Sequence, residues 1–445
     1  MTSVQMRDFW DKVRATYWFL PTLMTLLAAI GALVLIWVDQ ALPSLFLQDK
    51  WYIFPPESIA EARNVLTNIG DTSLAVIGVV FSITLVPLSI ASAQYGSIIL
   101  RTFLRDRGTQ FVLGAYSATT FYCLFLLLGL RSASNQTSLL RLPVTVAVYM
   151  LLMSLLLLLY FFHHVADSLQ ASAVIEQVSK ELEEVIEEDY PLGEPTAPSA
   201  PRQGNEAIRQ EVLCDGEAIT SSREGYVRAI DYNELMKMST KRKLVLCLKC
   251  LPGDFVGHND QLLLAWPGPL DKHVMSTVNR AYILGRNRTL FQDPGFGIYL
   301  LVTIAVRALS PAINDAITPV LCLDRLGAAL SMLAVRPTLS PYYYDKGNQL
   351  RILTTQVSFL RLVDMAFNLI REYGRANAEV LMKMLETIKT VTAHTHSPTQ
   401  REVLLKHATL IEHDSHIGLP SEYDQQRVHE CYEETLRAIG LGDKP

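Results

Sequence analysis

Residues 142–162 read LPVTVAVYMLLMSLLLLLYFF, an unbroken run without Asp, Glu, Lys or Arg. A bilayer's hydrocarbon core is about 30 Å thick, and a helix rising about 1.5 Å per residue crosses it in roughly 20 apolar residues. The run predicts a transmembrane helix. Three more uncharged runs precede it, Phe19–Val38, Thr72–Tyr95 and Phe111–Leu130. The expected fold is therefore an α-helical membrane protein with four transmembrane helices in residues 1–162, followed by a cytoplasmic α+β part.

The whole-chain averages agree once they are divided in this way. Half of the 445 residues are hydrophobic, 19% are charged, and the mean hydropathy is +0.21. These values exclude a disordered chain, a collagen and a disulfide-stapled secreted domain. A net charge of −5 speaks against nucleic acid as a partner, because phosphate binding asks for a basic excess. The segment Met1–Trp18 mixes Arg7, Lys12 and Arg14 with Asp8 and Asp11, and a full-length span follows it, so it reads as a retained helix rather than a signal peptide. Basic residues favour the N-terminal flank and the connection holding Arg101, Arg105 and Arg107. The other connections carry Lys50 and Arg63, and Arg131 and Arg141. This bias predicts that both termini are cytoplasmic. Trp10, Trp18, Trp37 and Trp51 fall near expected span ends, where amphipathic rings settle.

The second span differs from the others in being rich in small and hydroxyl residues. At about 100° per residue, Asp71, Ala75, Gly78, Ser82, Ser89, Ala93 and Gly96 share one narrow sector, interrupted only by Leu85 and Val86. Two readings compete for this face. Gly78 and Ser82 form a small-xxx-small pair suited to close helix packing. Alternatively, Gly78, Ser82, Ser89, Ser92, Ala93 and Gly96 line a pore, with Pro87 as the site of a kink or gate. Within the uncharged runs no ionisable residue sits at mid-span, which disfavours a proton relay or voltage sensor and leaves passive conduction or anchoring.

Beyond Phe162 the chain reads as a helical extension over 163–190, a Pro-rich linker over 191–210 with Pro191, Pro195, Pro198 and Pro201, a small β domain over 211–270 and a helical domain over 271–445. Gly-Tyr-Val at 225–227 and Pro-Gly-Asp-Phe-Val at 252–256 suggest a barrel-sandwich hybrid. Met236-Lys237-Met238 matches the trio around a biotinylated lysine but lies in a helix-like stretch and is discounted. Cys247 and Cys250 lie on a strand-like run whose alternation sends them to opposite faces, so a shared zinc is not expected. His394, His396, His407, His413 and His416 lie close in sequence without zinc-site spacing. No metal or cofactor is expected.

The richest polar constellation flanks the apolar run Phe296–Val306. Arg288, Gln292 and Asp293 precede it; Arg307, Ser310, Asn314, Asp315 and Thr318 follow it. Asp293-Pro294 reads as a helix cap with Pro in the first turn, and Asn314 or Asp315 as the next cap. The two arginines could instead hold an anion. No nucleophile elbow, phosphate loop or dinucleotide fingerprint is present, so no catalytic residue is nominated.

Several of these stretches carry a resemblance. EARNVLTNI at 61–69, VVFSITLVPLSIASAQY at 79–95, LRDRGTQ at 104–110 and RALSPAINDA at 307–316 resemble the bacterial predicted membrane proteins grouped as domain of unknown function 2254. The resemblance implies a four-span membrane protein and no assigned activity, and the expected location is the bacterial inner membrane. The leading expectation is an oligomeric channel with a pore lined by the second span and a cytoplasmic regulatory domain. The alternative is a non-conducting anchored scaffold that recognises a partner or small anion. Expected partners are the lipid bilayer, further copies of the chain, and a small anion or ion.

Overall fold

The structure is a computed structural model that describes residues 6, 16, 18–41, 58–95, 107–132, 141–168, 170–190, 205–337, 340–355, 357–395 and 397–440. Two compact units divide the chain, one spanning Asp8–Ala173 and the other containing Val174–Pro445.

The first unit is a bundle of α1 (Phe19–Ala41), α2 (Ile59–Tyr95), α3 (Arg107–Ser132) and α4 (Arg141–Ser168). Helix α3 packs against the other three. One core layer joins Ala32, Leu66, Ile69, Tyr122, Leu126 and Val144. A second joins Val80, Val112, Leu113, Tyr116 and Phe161. Helix α1 approaches α3 closely at Gly114, where a Cβ would lie 2.6 Å from the Met24 sulfur and 3.2 Å from the Pro21 Cα. Several polar groups find partners within the bundle, as an apolar solvent favours. Thr25 and Thr119 donate to the carbonyls of Pro21 and Ala115, one turn back. Tyr116 donates to the Ser154 carbonyl at 2.8 Å, Tyr122 to that of Pro143 at 3.0 Å, and the Thr119 and Ser154 hydroxyls meet at 3.3 Å.

The outward surfaces of α1, α3 and α4 carry large apolar side chains, among them Leu26, Ile30 and Val34 on α1, Leu124 and Leu128 on α3, and Leu156 and Leu159 on α4. Trp18 and Trp37 are exposed near the two ends of α1. Among the described residues, five helical segments are long and apolar enough to cross a membrane: Phe19–Asp39, Ile59–Val86, Arg107–Leu130, Arg141–Val165 and Ile317–Ala334. The second begins well before Thr72, and the fifth adds to the four expected from sequence.

The second unit begins with α5 (Ala171–Asp189), whose buried stripe Val174, Ile175, Val178, Leu182 and Ile186 has helical spacing. Helix α6 (Asn205–Asp215) leads into strands β1 (Glu217–Thr220) and β2 (Gly225–Ile230), helix α7 (Tyr232–Arg242), and strands β3 (Val245–Leu248), β4 (Phe255–Val256) and β5 (Gln261–Trp266). After α8 (Lys272–Ala281) and β6 (Tyr282–Gly285) come α9 (Pro294–Ala308) and α10 (Ile317–Ala334). Strands β7 (Tyr342–Tyr344) and β8 (Leu350–Leu353) precede α11 (Phe359–Gly374), α12 (Ala378–Ala393), α13 (Pro398–Gly418) and α14 (Glu422–Ile439). The strands form a mixed sheet in the order β1-β5-β3-β8-β7 and an antiparallel sheet β4-β2-β6. Their shared core includes Val227, Leu235, Leu246, Leu262, Tyr282 and Ile352.

The barrel-sandwich arrangement is not confirmed. β structure extends past residue 270, because β6 pairs with β2 and β8 pairs in parallel with β3, Leu246 facing Ile352. The reading of 271–445 as helical is corrected at YILG (282–285) and LRIL (350–353), which are strands. A four-residue apolar run has no period of its own, and a distant partner strand decides its state. Met236–Met238 lie in α7, as the helix-like stretch suggested. The linker prolines Pro191, Pro195, Pro198 and Pro201 lie outside the described residues.

Candidate functional site

Helix α2 packs through Ala62, Leu66, Ile69, Ser73 and Val80, all buried. At about 100° per residue, their mean direction lies about 180° from that of Asp71, Ala75, Gly78, Ser82 and Ser89. Each of the latter is exposed, and among the described residues a Cβ at Gly78 would meet no heavy atom within 4 Å. The small face thus turns away from its own bundle. Among the described residues the Gly78–Ser82 pair packs against no other helix, whereas Gly114 and Gly129 stand where helices of the bundle approach closely. Ser82 donates to the Gly78 carbonyl at 2.9 Å, so its hydroxyl is satisfied by its own helix. Helix α2 is continuous through Pro87, Ser92 and Ala93, whose side chains lie outside the described residues, as does Gly96.

The packing register fixes depth. Helices α2 and α3 run antiparallel: Leu66 and Ile69 share a layer with Tyr122 and Leu126, and Val80 shares one with Val112 and Tyr116. A Cβ at Gly70 would lie 3.7 Å from that of Cys123. Asp71 therefore stands within a turn of helix, on the order of 5 Å, of the level of the Thr119–Ser154 contact. That contact falls near the middle of the uncharged runs Phe111–Leu130 and Leu142–Phe162, while α2 itself continues past Asp71 to Tyr95. The uncharged runs hide this, because the sequence places Asp71 one residue outside Thr72–Tyr95. Register thus brings an ionisable residue of α2 level with the middle of α3 and α4. Among the described residues no hydrogen bond or ion pair reaches Asp71. A carboxylate facing lipid at mid-helix costs about 3 kcal/mol on insertion scales.

In the second unit the polar constellation separates into two clusters. Arg288 holds Asp293 with two bonds, Nε to Oδ2 at 2.7 Å and Nη2 to Oδ1 at 3.1 Å, while Asp293 accepts the Phe296 N–H at 3.1 Å and caps α9. Burial pushes the Asp293 carboxyl upward against the pull of Arg288. Gln292, in the left-handed region at φ +58°, accepts the Ile230 N–H at 2.9 Å and ties this turn to β2. Gly253, at φ +94°, leaves room for the Asp293 carboxylate, which a Cβ there would strike. Arg307 stands in the last turn of α9, with Ser310, Asn314 and Asp315 beyond it. The Ser310 carbonyl accepts the Asn314 N–H at 2.8 Å, and Asp315 accepts the Ile317 N–H at 2.8 Å at the start of α10. The ends of the 15-residue α9 are roughly 20 Å apart, so no small anion bridges Arg288 and Arg307.

The remaining candidates scatter. Cys247 is buried in β3, and Cys250 lies past the strand end, its thiol on the Gln261 carbonyl at 3.3 Å and pushed up to about 11 by burial. His407 is fully buried against Asp364 at 2.8 Å, whereas His416 and His429 both contact Glu412 Oε1, and His396 lies outside the described residues. One cluster escapes sequence reading altogether. The Tyr232 and Tyr343 rings stack at 5.6 Å, and the fields of Asp189 and Tyr190 act on Tyr232. Burial pushes Tyr190 up to about 12. These residues are far apart in sequence, and no spacing announces the cluster.

Long apolar helices with aliphatic outer surfaces, followed in the chain by an α+β unit, define a membrane protein with several candidate spans. Residues 14–390 match the family described as "Predicted membrane protein (DUF2254)". The chain belongs to that family. It is similar to uncharacterized proteins of Mycobacterium bovis and Mycobacterium tuberculosis, each 27% identical over 433 residues that cover 94% of this chain and 80% of the relative. No solved structure matches it.

Proposed function

We propose that the protein is an oligomeric channel of the bacterial inner membrane whose α2 helices meet around a shared path, with both termini and the second unit in the cytoplasm. The observation that carries this reading is the exposed small face Ala75, Gly78 and Ser82, opposite the helix's packing side. Lipid gains nothing from small hydroxyl side chains, whereas close approach of a second copy or a wet path uses them. Four of the five apolar segments cross the membrane in this reading. The fifth, α10, buries Cys322, Leu326 and Leu330, and its Asp324 pairs with Lys383 of α12 at 2.6 Å, which suits the core of the second unit. The scaffold alternative through an anion at Arg288 and Arg307 loses support from their separation.

Planar-bilayer recording of the purified full chain is the test. Wild type is expected to conduct as an oligomer, and Ser82→Leu or Ser89→Leu to reduce the current by narrowing the path. A monomer without conductance would overturn the reading.

A further inference from the structure

We propose that Asp71 is a cation-binding position at mid-membrane depth, a carboxylate presented to the path shared between copies. This rests on the reading of the α2 face as lining that path. The face itself does not require an ion, since Ser82 bonds within its own helix. Asp71 does require a partner. It is exposed on the unit's surface, and the register in which a Cβ at Gly70 would meet that of Cys123 puts it within about a turn of the Thr119–Ser154 level. A charged side chain at that level faces a bundle interior or a water-filled cavity, not lipid.

The chemistry of the partner follows from what the spans lack. Copies related by an axis along the membrane normal bring equivalent residues to the same level, so each Asp71 meets further carboxylates. Among the described residues of the bundle, no Lys or Arg stands at that level. The uncharged runs contain neither Lys nor Arg, and the basic residues of the apolar segments in the bundle, Arg63, Arg107 and Arg141, stand near their ends. Arg63, eight residues from Asp71 on the same helix, is about 12 Å away along the axis. Like charges at one level, without a fixed counter-charge, are relieved by a cation from the water. Rings of Asp or Glu give cation preference in pores for this reason.

The test uses the full chain reconstituted in phosphatidylcholine–phosphatidylglycerol vesicles, with two independent readouts. The first is modification of Asp71 by dicyclohexylcarbodiimide, which reaches carboxyls from the apolar phase, read by peptide mass spectrometry in KCl or in choline chloride at equal ionic strength. Modification several-fold slower in KCl is expected. Equal rates in the two salts, or no modification of Asp71 in either, would overturn the site. The second readout is the reversal potential under a KCl gradient. Wild type and Asp71→Glu are expected to prefer cations, and Asp71→Asn, eluting as the same oligomer, to lose that preference several-fold. Currents whose cation preference survives in Asp71→Asn overturn the site and leave the channel reading standing. Protection by KCl in a protein that passes no current supports the site and overturns the channel.

Discussion

At the scale of single residues, His407 is buried with Nε2 2.8 Å from an Asp364 oxygen and Nδ1 without a partner. A neutral ring that donates through Nε2 fits this site. A proton on Nδ1 would create a buried donor with nothing to meet. Burial accordingly holds His407 below its ordinary 6.5 despite the opposing pull of Asp364. Because the folded value lies below the unfolded one, the unfolded state takes up the proton first. The stability His407 contributes is complete above the unfolded value and is lost as pH falls through the folded one. His407→Gln keeps an N–H donor and does not titrate. The melting temperature of wild type, followed from about pH 7 to about pH 5, is expected to fall more steeply than that of the variant. Parallel curves would show that His407 is not the group responsible. The histidine run at 394–416 gave no hint of this role, because burial of His407 depends on α11, from which Asp364 comes.

At the scale of elements, glycines of identical intrinsic propensity serve opposite purposes. Gly114 lets α1 reach α3, whereas nothing stands near Gly78. Gly114→Leu is expected to destabilise the bundle by about 1–3 kcal/mol through overpacking. Gly78→Leu should leave the unfolding transition of the isolated protomer unchanged or slightly raised, since leaving glycine gains helix propensity, and should instead weaken association. Thermal unfolding in detergent with light scattering of the eluted protein separates the two effects. An unfolding shift at Gly78 comparable to that at Gly114 would mean that the small face is packed after all. Elements were legible in proportion to their length. Long apolar helices and the cap Asp293-Pro294 could be read directly from the sequence, since their signals are local. The strands YILG and LRIL could not, because each is too short to show a period and takes its state from β2 or β3 far along the chain.

At the scale of the whole molecule, the cysteines provide a probe of orientation. Cys214 is exposed on the second unit, while Cys123, Cys247 and Cys322 are buried. With that unit in the cytoplasm, a membrane-impermeant maleimide is expected to modify Cys214 in inverted membrane vesicles and to spare it in sealed cells, as read by peptide mass spectrometry. Modification in intact cells would reverse the orientation drawn from the basic flanks. What the sequence determined alone is residence in a membrane, the four uncharged runs and the singular composition of the second, because hydropathy and periodicity act along a single helix. The tertiary structure decided which side of that helix is covered and which level of α3 Asp71 stands against. Both depend on register between α2 and α3, set where Gly70 meets Cys123 across residues distant in the chain, and no local pattern contains that register.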